Sequence, residues 1–196
     1  MALTAVLTSS GVASAGAVHH RHHAAAAHKA MRKARALARA HFAVLRQHKS
    51  ARDVMRSRSH SRQARAKVAA IDSRLVFDGG PDYRLYLILD APRVCLSAVN
   101  ETHGSSGGGC APIADVVAGR RVLMLGDFKP DSVHVAVAAL DGAHDAKATA
   151  TDGTETPLPI TNNVIVDTLT QLTTISFTDA AGNVLTTRFG PSPLTR

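Results

Sequence analysis

The sequence predicts a mainly β protein: an antiparallel β-sandwich or barrel-like body preceded by a basic α-helical arm. Three observations carry this. From residue 74 onward, short runs rich in Val, Leu, Ile and Thr alternate with turns rich in Gly, Asn and Asp. Before that point the chain is rich in Ala, Arg and His and shows helical periodicity. Charge divides at the same place. Residues 19–74 carry 15 Lys and Arg against Asp53 and Asp72, and residues 75–196 carry 8 against 13 acids, so +13 and −5 make up the net +8.

The 196 residues suit one domain with appendages, or two small domains. Apolar residues make up 45%, but aromatics only 4% with no Trp, so a core must rest on Val, Leu, Ile and Ala. This composition excludes a collagen-like chain, a multi-pass membrane protein and a disulfide-dense miniprotein. Three zones follow: a leader over 1–17, a basic arm and linker over 18–73, and a β-rich domain over 74–196.

The leader is uncharged through Val18 and ends in small residues. Ala13-Ser14-Ala15 and Ala15-Gly16-Ala17 both fit the pattern that a signal peptidase cleaves, although no Lys or Arg stands near Met1. Export is therefore expected, with a disordered Ala/Ser/Thr tail as the alternative. Thr4, Thr8, Ser9, Ser10 and Gly11 make the segment too polar for a membrane span.

Residues 24–48 lack Gly and Pro and favour a helix. Ala27, Met31, Ala34, Ala38, Phe42 and Leu45 share one face, and His28, Arg32, Arg35, Arg39 and Arg46 form a cationic stripe on the other. Such a helix either docks on the body, lies on an anionic envelope polymer or membrane surface, or binds nucleic acid. Without interleaved aromatics, nucleic acid is the least expected partner. The stripe marks Arg32, Arg35, Arg39 and Arg46 as the anionic-surface residues. The preceding His19–His23 cluster lacks the fixed geometry of a metal site, so no metal or other cofactor is expected. Residues 50–63 alternate Ser and Arg and read as a linker, with a short helix expected over 64–70.

In the body, strands are expected at 74–77, 83–89, 94–99, 121–125, 132–139, 146–151, 155–160, 164–169, 172–178 and 184–188, with a helical turn at 113–118. Residues 132–139 alternate Val133, Val135, Val137 and Ala139 with Ser132, His134, Ala136 and Ala138, the pattern of a strand with one buried face. Turns are expected at Gly79-Gly80, Asp141-Gly142, Asp152-Gly153, Asn162-Asn163 and from Asp179 to Asn183. Many short strands so spaced imply a sandwich or barrel, with immunoglobulin-like connectivity among the candidates.

Cys95 falls in a strand and Cys110 follows a Gly-rich stretch read as a loop. A bridge between these two would close a loop of about 15 residues, worth about 3 kcal/mol in the chain-entropy picture. Disulfides persist in oxidising compartments, so the bridge and export support each other. Two buried free thiols are the alternative.

Catalytic signals are sparse. Residues 104–108 match G-x-S-x-G, but a nucleophile elbow needs a strand before it and a helix after it. A secreted hydrolase using the His103–Cys110 loop, with Asp115 or Asp127 as orienting acid, is the alternative to a non-enzymatic module. A Cys95–His134 pair would be blocked by the disulfide. The turn acids lack the spacing of a Ca²⁺ loop.

Several pieces look familiar. These are Phe42–Arg46, Ala51-Arg52-Asp53, Val94-Cys95-Leu96, Gly109-Cys110-Ala111-Pro112, residues 128–133, Asn162-Asn163-Val164 and residues 178–182. In these the chain resembles exported proteins of high-GC actinobacteria that carry a disulfide-looped β domain after a basic N-terminal segment. Ser132 departs from the Gly usual in that family's turn. The resemblance spans most of the chain and implies a secreted or surface-exposed β domain without a catalytic motif. The protein partner, if any, is left open.

Overall fold

The computed structural model describes residues 15–55, 71–102, 105–129, 132–169 and 172–189. The leader up to residue 14, the expected helix at 64–70 and His103 lie outside the described residues.

Helix α1 spans Ala15–His41 and is followed by two single 3-10 turns, Ala43–Arg46 and Ala51–Asp53. Twelve strands then form three four-stranded antiparallel sheets. The first sheet is a meander of β1 (Asp72–Asp78), β2 (Arg84–Asp90), β3 (Arg93–Asn100) and β4 (Ser105–Pro112) in sequence order. A short helix α2 (Ile113–Val117) leads to β5 (Met124–Lys129), β6 (Ser132–Ala138), β7 (His144–Ala150), β8 (Glu155–Pro157), β9 (Ile160–Thr161), β10 (Val164–Leu169), β11 (Leu172–Thr178) and β12 (Val184–Arg188). These last eight strands form sheets of order β5-β6-β10-β9 and β12-β11-β7-β8. Lettered as an immunoglobulin-type sandwich, the two sheets read A-B-E-D and G-F-C plus an added edge strand. Of the two architectures the sequence left open, the body is a sandwich rather than a closed barrel.

Turn chemistry sets much of this path. Asn162 and Asn163 both adopt positive φ, 50° and 63°, which the β9–β10 hairpin requires and Asn tolerates. Gly142 sits at φ 77° between β6 and β7, and a Cβ there would come within 2.8 Å of the Ala180 Cβ. The main-chain bend therefore needs Gly for both backbone and space.

Two apolar cores share β6 as a wall. Val135, Val137 and Ala139 join Ile165, Ile175, Phe177 and Phe189 between the two sandwich sheets. Ala136 and Ala138 point the other way, into a core with Leu85, Leu87, Leu96, Ile113, Phe42 and Leu45. The one-sided burial expected for 132–139 is thus corrected: 135–139 is buried on both faces. Alanines let the meander and the arm approach that outer face closely.

Other boundaries differ from expectation with identifiable causes. The Gly-rich stretch is strand β4, not a loop, and pairs along its length with β3. Gly108 must be Gly there, since a Cβ would lie 2.9 Å from the Leu96 carbonyl oxygen. β5 begins at Met124, later than the expected 121. Residues 50–55 are not a bare linker: Asp53 is buried, and its Oδ1 accepts the Leu75 N–H at 2.8 Å while Ser73 Oγ donates to its carbonyl at 2.6 Å.

The helix runs over 15–41 rather than 24–48 because Phe42 turns extended, with φ −126° and ψ 103°. Side chains from the body capture the next N–H groups, those of Ala43 and Val44. Ala38, Phe42, Val44 and Leu45 are all buried in the core beside the meander. The body therefore does not complete its packing from residue 74 alone.

Candidate anion-binding surface

The cationic stripe of α1 divides into two parts with different surroundings. Every side chain over 28–33 is exposed, so this stretch, with Lys29, Arg32 and Lys33, runs clear of the body. Met31, expected on the apolar face, is 39% exposed for the same reason. Arg35 is also exposed, at the rim of an open depression with Ile71, Asp72, Ile88 and Cys95. Among the described residues none of Lys29, Arg32, Lys33 and Arg35 makes an ion pair.

One turn further on, the same stripe is tied down. Arg39 pairs with Asp72 at 3.1 Å. Arg46 pairs with Asp141 at 2.7 Å and donates to the carbonyl oxygens of Arg39 and Ala40 at 2.8 and 3.3 Å. It thereby caps carbonyls that the helix end leaves without partners. Of the four expected surface arginines, then, Arg32 and Arg35 are unpaired and Arg39 and Arg46 help dock the arm.

Asp141 is the centre of the docking clasp. Its Oδ1 accepts the Ala43 N–H at 2.6 Å and Asn163 Nδ2 at 2.8 Å. Asn163 Oδ1 accepts the Val44 N–H at 3.0 Å, and the Asp141 N–H donates to the His41 carbonyl at 2.8 Å. Burial pushes the Asp141 carboxyl up, but hydrogen bonds from Asn163, Ala43 and Arg46 outweigh it and hold the carboxyl below its usual range. Asp53 behaves alike. Burial raises it, and the N–H groups of Ser50 and Leu75, the Ser50 hydroxyl and the Arg74 charge bring it down.

Sequence reading singled out Asp141 and Asn163 only as turn formers. Their partners lie 98 and 119 residues earlier, so no local pattern signals the clasp. The remaining turn acids act as the turn reading implies. Asp179 accepts the N–H groups of Ala181 and Asn183 at 2.9 and 2.8 Å, and Asp152 that of Thr154 at 2.9 Å. Among the described residues no group of three or more His, Cys, Asp or Glu is placed to hold a metal ion.

Cys95 and Cys110 form a disulfide, directly opposite each other in the β3–β4 register with Cα atoms 4.0 Å apart. The G-x-S-x-G match runs into β4, so Ser106 pairs with Val99 inside a strand rather than topping a strand-to-helix turn. Asp115 is engaged by Arg120 at 2.6 Å. His134 Nδ1 is 2.9 Å from Thr168 Oγ1 across β6 and β10.

No protein-family model matches the chain, and no match to it is found among curated proteins or solved structures. The strand connectivity and the cationic helix are therefore the observations on which a functional reading stands.

Proposed function

We propose that this is an exported, non-enzymatic β-sandwich protein of the cell surface or extracellular space. It holds anionic envelope polymers or lipid head groups through α1. The observation that carries this is the exposed stretch with Lys29, Arg32 and Lys33, continued by Arg35: none of the four makes an ion pair among the described residues, although Arg35 shares its depression with Asp72 and Asp90. Cations set so close together on one helix reinforce one another's field over about 8 Å at physiological salt. Two further features agree with this location. A disulfide suits an oxidising compartment, and no helix among the described residues is long and apolar enough to cross a membrane. The secreted-hydrolase alternative gains nothing from β4, which offers a paired strand where an elbow is needed.

Co-sedimentation of the full chain with phosphatidylglycerol-containing vesicles, against pure phosphatidylcholine, tests the reading. Binding to the anionic vesicles that weakens with salt, and weakens again in Arg32→Gln/Arg35→Gln, is the expected result. Equal indifference to both vesicles at low salt overturns it.

A further inference from the structure

Where the arm meets the meander, the surface holds a groove of about 500 Å³. Arg39, Leu45, Arg46, Gln47, His48, Lys49 and Arg74 line it, and no acidic side chain among the described residues does. Three separate elements supply these groups: the end of α1, the 3-10 turn with the strand-like stretch after it, and β1. We infer that this groove is a binding site for a phosphate or sulfate group. This deepens the surface-binding reading by assigning a discrete site, and it rests on different side chains from the exposed stretch of α1.

The groove is built rather than incidental. Arg74 is almost fully buried, its side chain 7% exposed. Asp72 holds it at 3.0 Å, and its Nε and NH2 donate to the Gln47 carbonyl at 3.3 and 3.2 Å. That contact fixes the Gln47–Lys49 backbone against β1. Lys49 also lines the groove, and its Nζ donates to the Ile71 carbonyl at 2.7 Å. Arg39 and Arg46 keep half of their side-chain surface exposed despite their ion pairs. Their acidic partners, Asp72 and Asp141, lie behind the groove lining, and Arg39, Arg46, Lys49 and Arg74 outnumber them four to two, so the groove stays net cationic.

Arginine forks present several N–H donors in a plane that matches two oxygens of a tetrahedral anion. Arg39 and Arg46, each half exposed, are the forks a phosphate or sulfate can reach, while Arg74, buried and bonded through Nε, NH1 and NH2, forms the fixed wall behind them. One source is inorganic phosphate, and the other is the headgroup of an anionic lipid.

Calorimetric titration of the full chain with inorganic phosphate, at moderate constant salt, tests the site. Saturable binding of one phosphate is expected, weakened roughly tenfold or more by Arg39→Gln and by Lys49→Gln. Lys147→Gln removes an equal charge on the far sheet and should leave the affinity as it is. Circular dichroism and the thermal transition confirm that each variant is folded. Absence of saturable binding overturns the inference, as does an equal loss in Lys147→Gln or full affinity in both groove variants.

Vesicles containing phosphatidylglycerol distinguish the sources. If the groove variants lose phosphate and vesicle affinity together, the ligand is a lipid headgroup. If they lose phosphate alone, it is a free phosphate. Phosphate binding without any vesicle binding keeps the groove and defeats only the surface-binding reading.

Discussion

Two stretches of the basic arm, 28–33 within α1 and 38–46 across its end, both carry cations and have opposite fates. Over 28–33 the helix is bathed in solvent, and its Lys and Arg have no acidic partner among the described residues. From Ala38 to Arg46 the chain buries Ala38, Phe42, Val44 and Leu45, and its arginines are paired with Asp72 and Asp141. Helical periodicity shows that a face is apolar or cationic. What sits opposite that face decides whether the residues stabilise the fold or remain available to a ligand. Docking begins where Ala34 and Leu37 meet the core and is completed from Ala38 to Arg46, where the turn residues Asp141 and Asn163 also supply acceptors.

The most forceful way to break this contrast is Phe42→Ala. The ring is fully buried at the centre of the arm–meander core. Its loss should cost about 3–5 kcal/mol, read as a fall in urea midpoint, whereas Met31→Ala should cost almost nothing. Equal effects at the two positions would erase the distinction between the two stretches. Reduction of the Cys95–Cys110 bridge should come next. It staples the meander on which the docked stretch rests, and its 15-residue separation implies about 3 kcal/mol. Non-reducing peptide mapping should show the cross-linked pair in freshly purified protein.

Asp141→Ala removes the clasp and leaves the Ala43 N–H and Arg46 short of a partner. About 1–3 kcal/mol should be lost. The clasp also has a pH signature. Hydrogen bonds from Asn163, Ala43 and Arg46 prevail over burial, so the folded carboxyl titrates below the ordinary aspartate value of 3.8. The unfolded chain therefore binds more protons in that window. The contribution is complete above about pH 4 and is lost as pH falls through the folded value. Asp53 acts with the same sign. Asp141→Asn should make acid unfolding less steep, and an unchanged acid limb would show that the clasp carries no such linkage.

The smallest stability effect belongs to Arg32→Gln/Arg35→Gln, within about 0.5 kcal/mol. Vesicle affinity should nevertheless fall about fivefold per arginine, from about 1 kcal/mol each near an anionic surface. A variant that keeps its thermal transition and loses binding sharpens the comparison to its limit.

What could be read from the sequence follows the range of the forces involved. Hairpins such as Asn162-Asn163 and Asp179–Asn183 were legible because their hydrogen bonds close within a few residues. The cysteine bridge was legible because only two cysteines exist. β4 was hidden: Gly107, Gly108 and Gly109 have little strand propensity, and pairing to β3 supplies what propensity does not. Double burial of β6 was hidden in Ala136 and Ala138, which read equally well as exposed or buried. The cationic stripe was visible as a pattern, but its division at Arg39 depends on Asp72 and Asp141, far along the chain.

The clasp has a consequence in time. A chain leaves the ribosome from its N-terminus at about 5–20 residues per second. Ala43 and Val44 wait for partners 98 and 119 residues downstream, an interval on the order of 5–25 s. Through that interval Phe42, Val44 and Leu45 can meet the meander leucines, but the clasp that ties down the Ala43 and Val44 N–H groups has not yet been made. The arm, made before the body, is thus fastened only after most of the body has followed it. A nascent chain halted before Asn163 ends its journey with a helix that has nowhere to close.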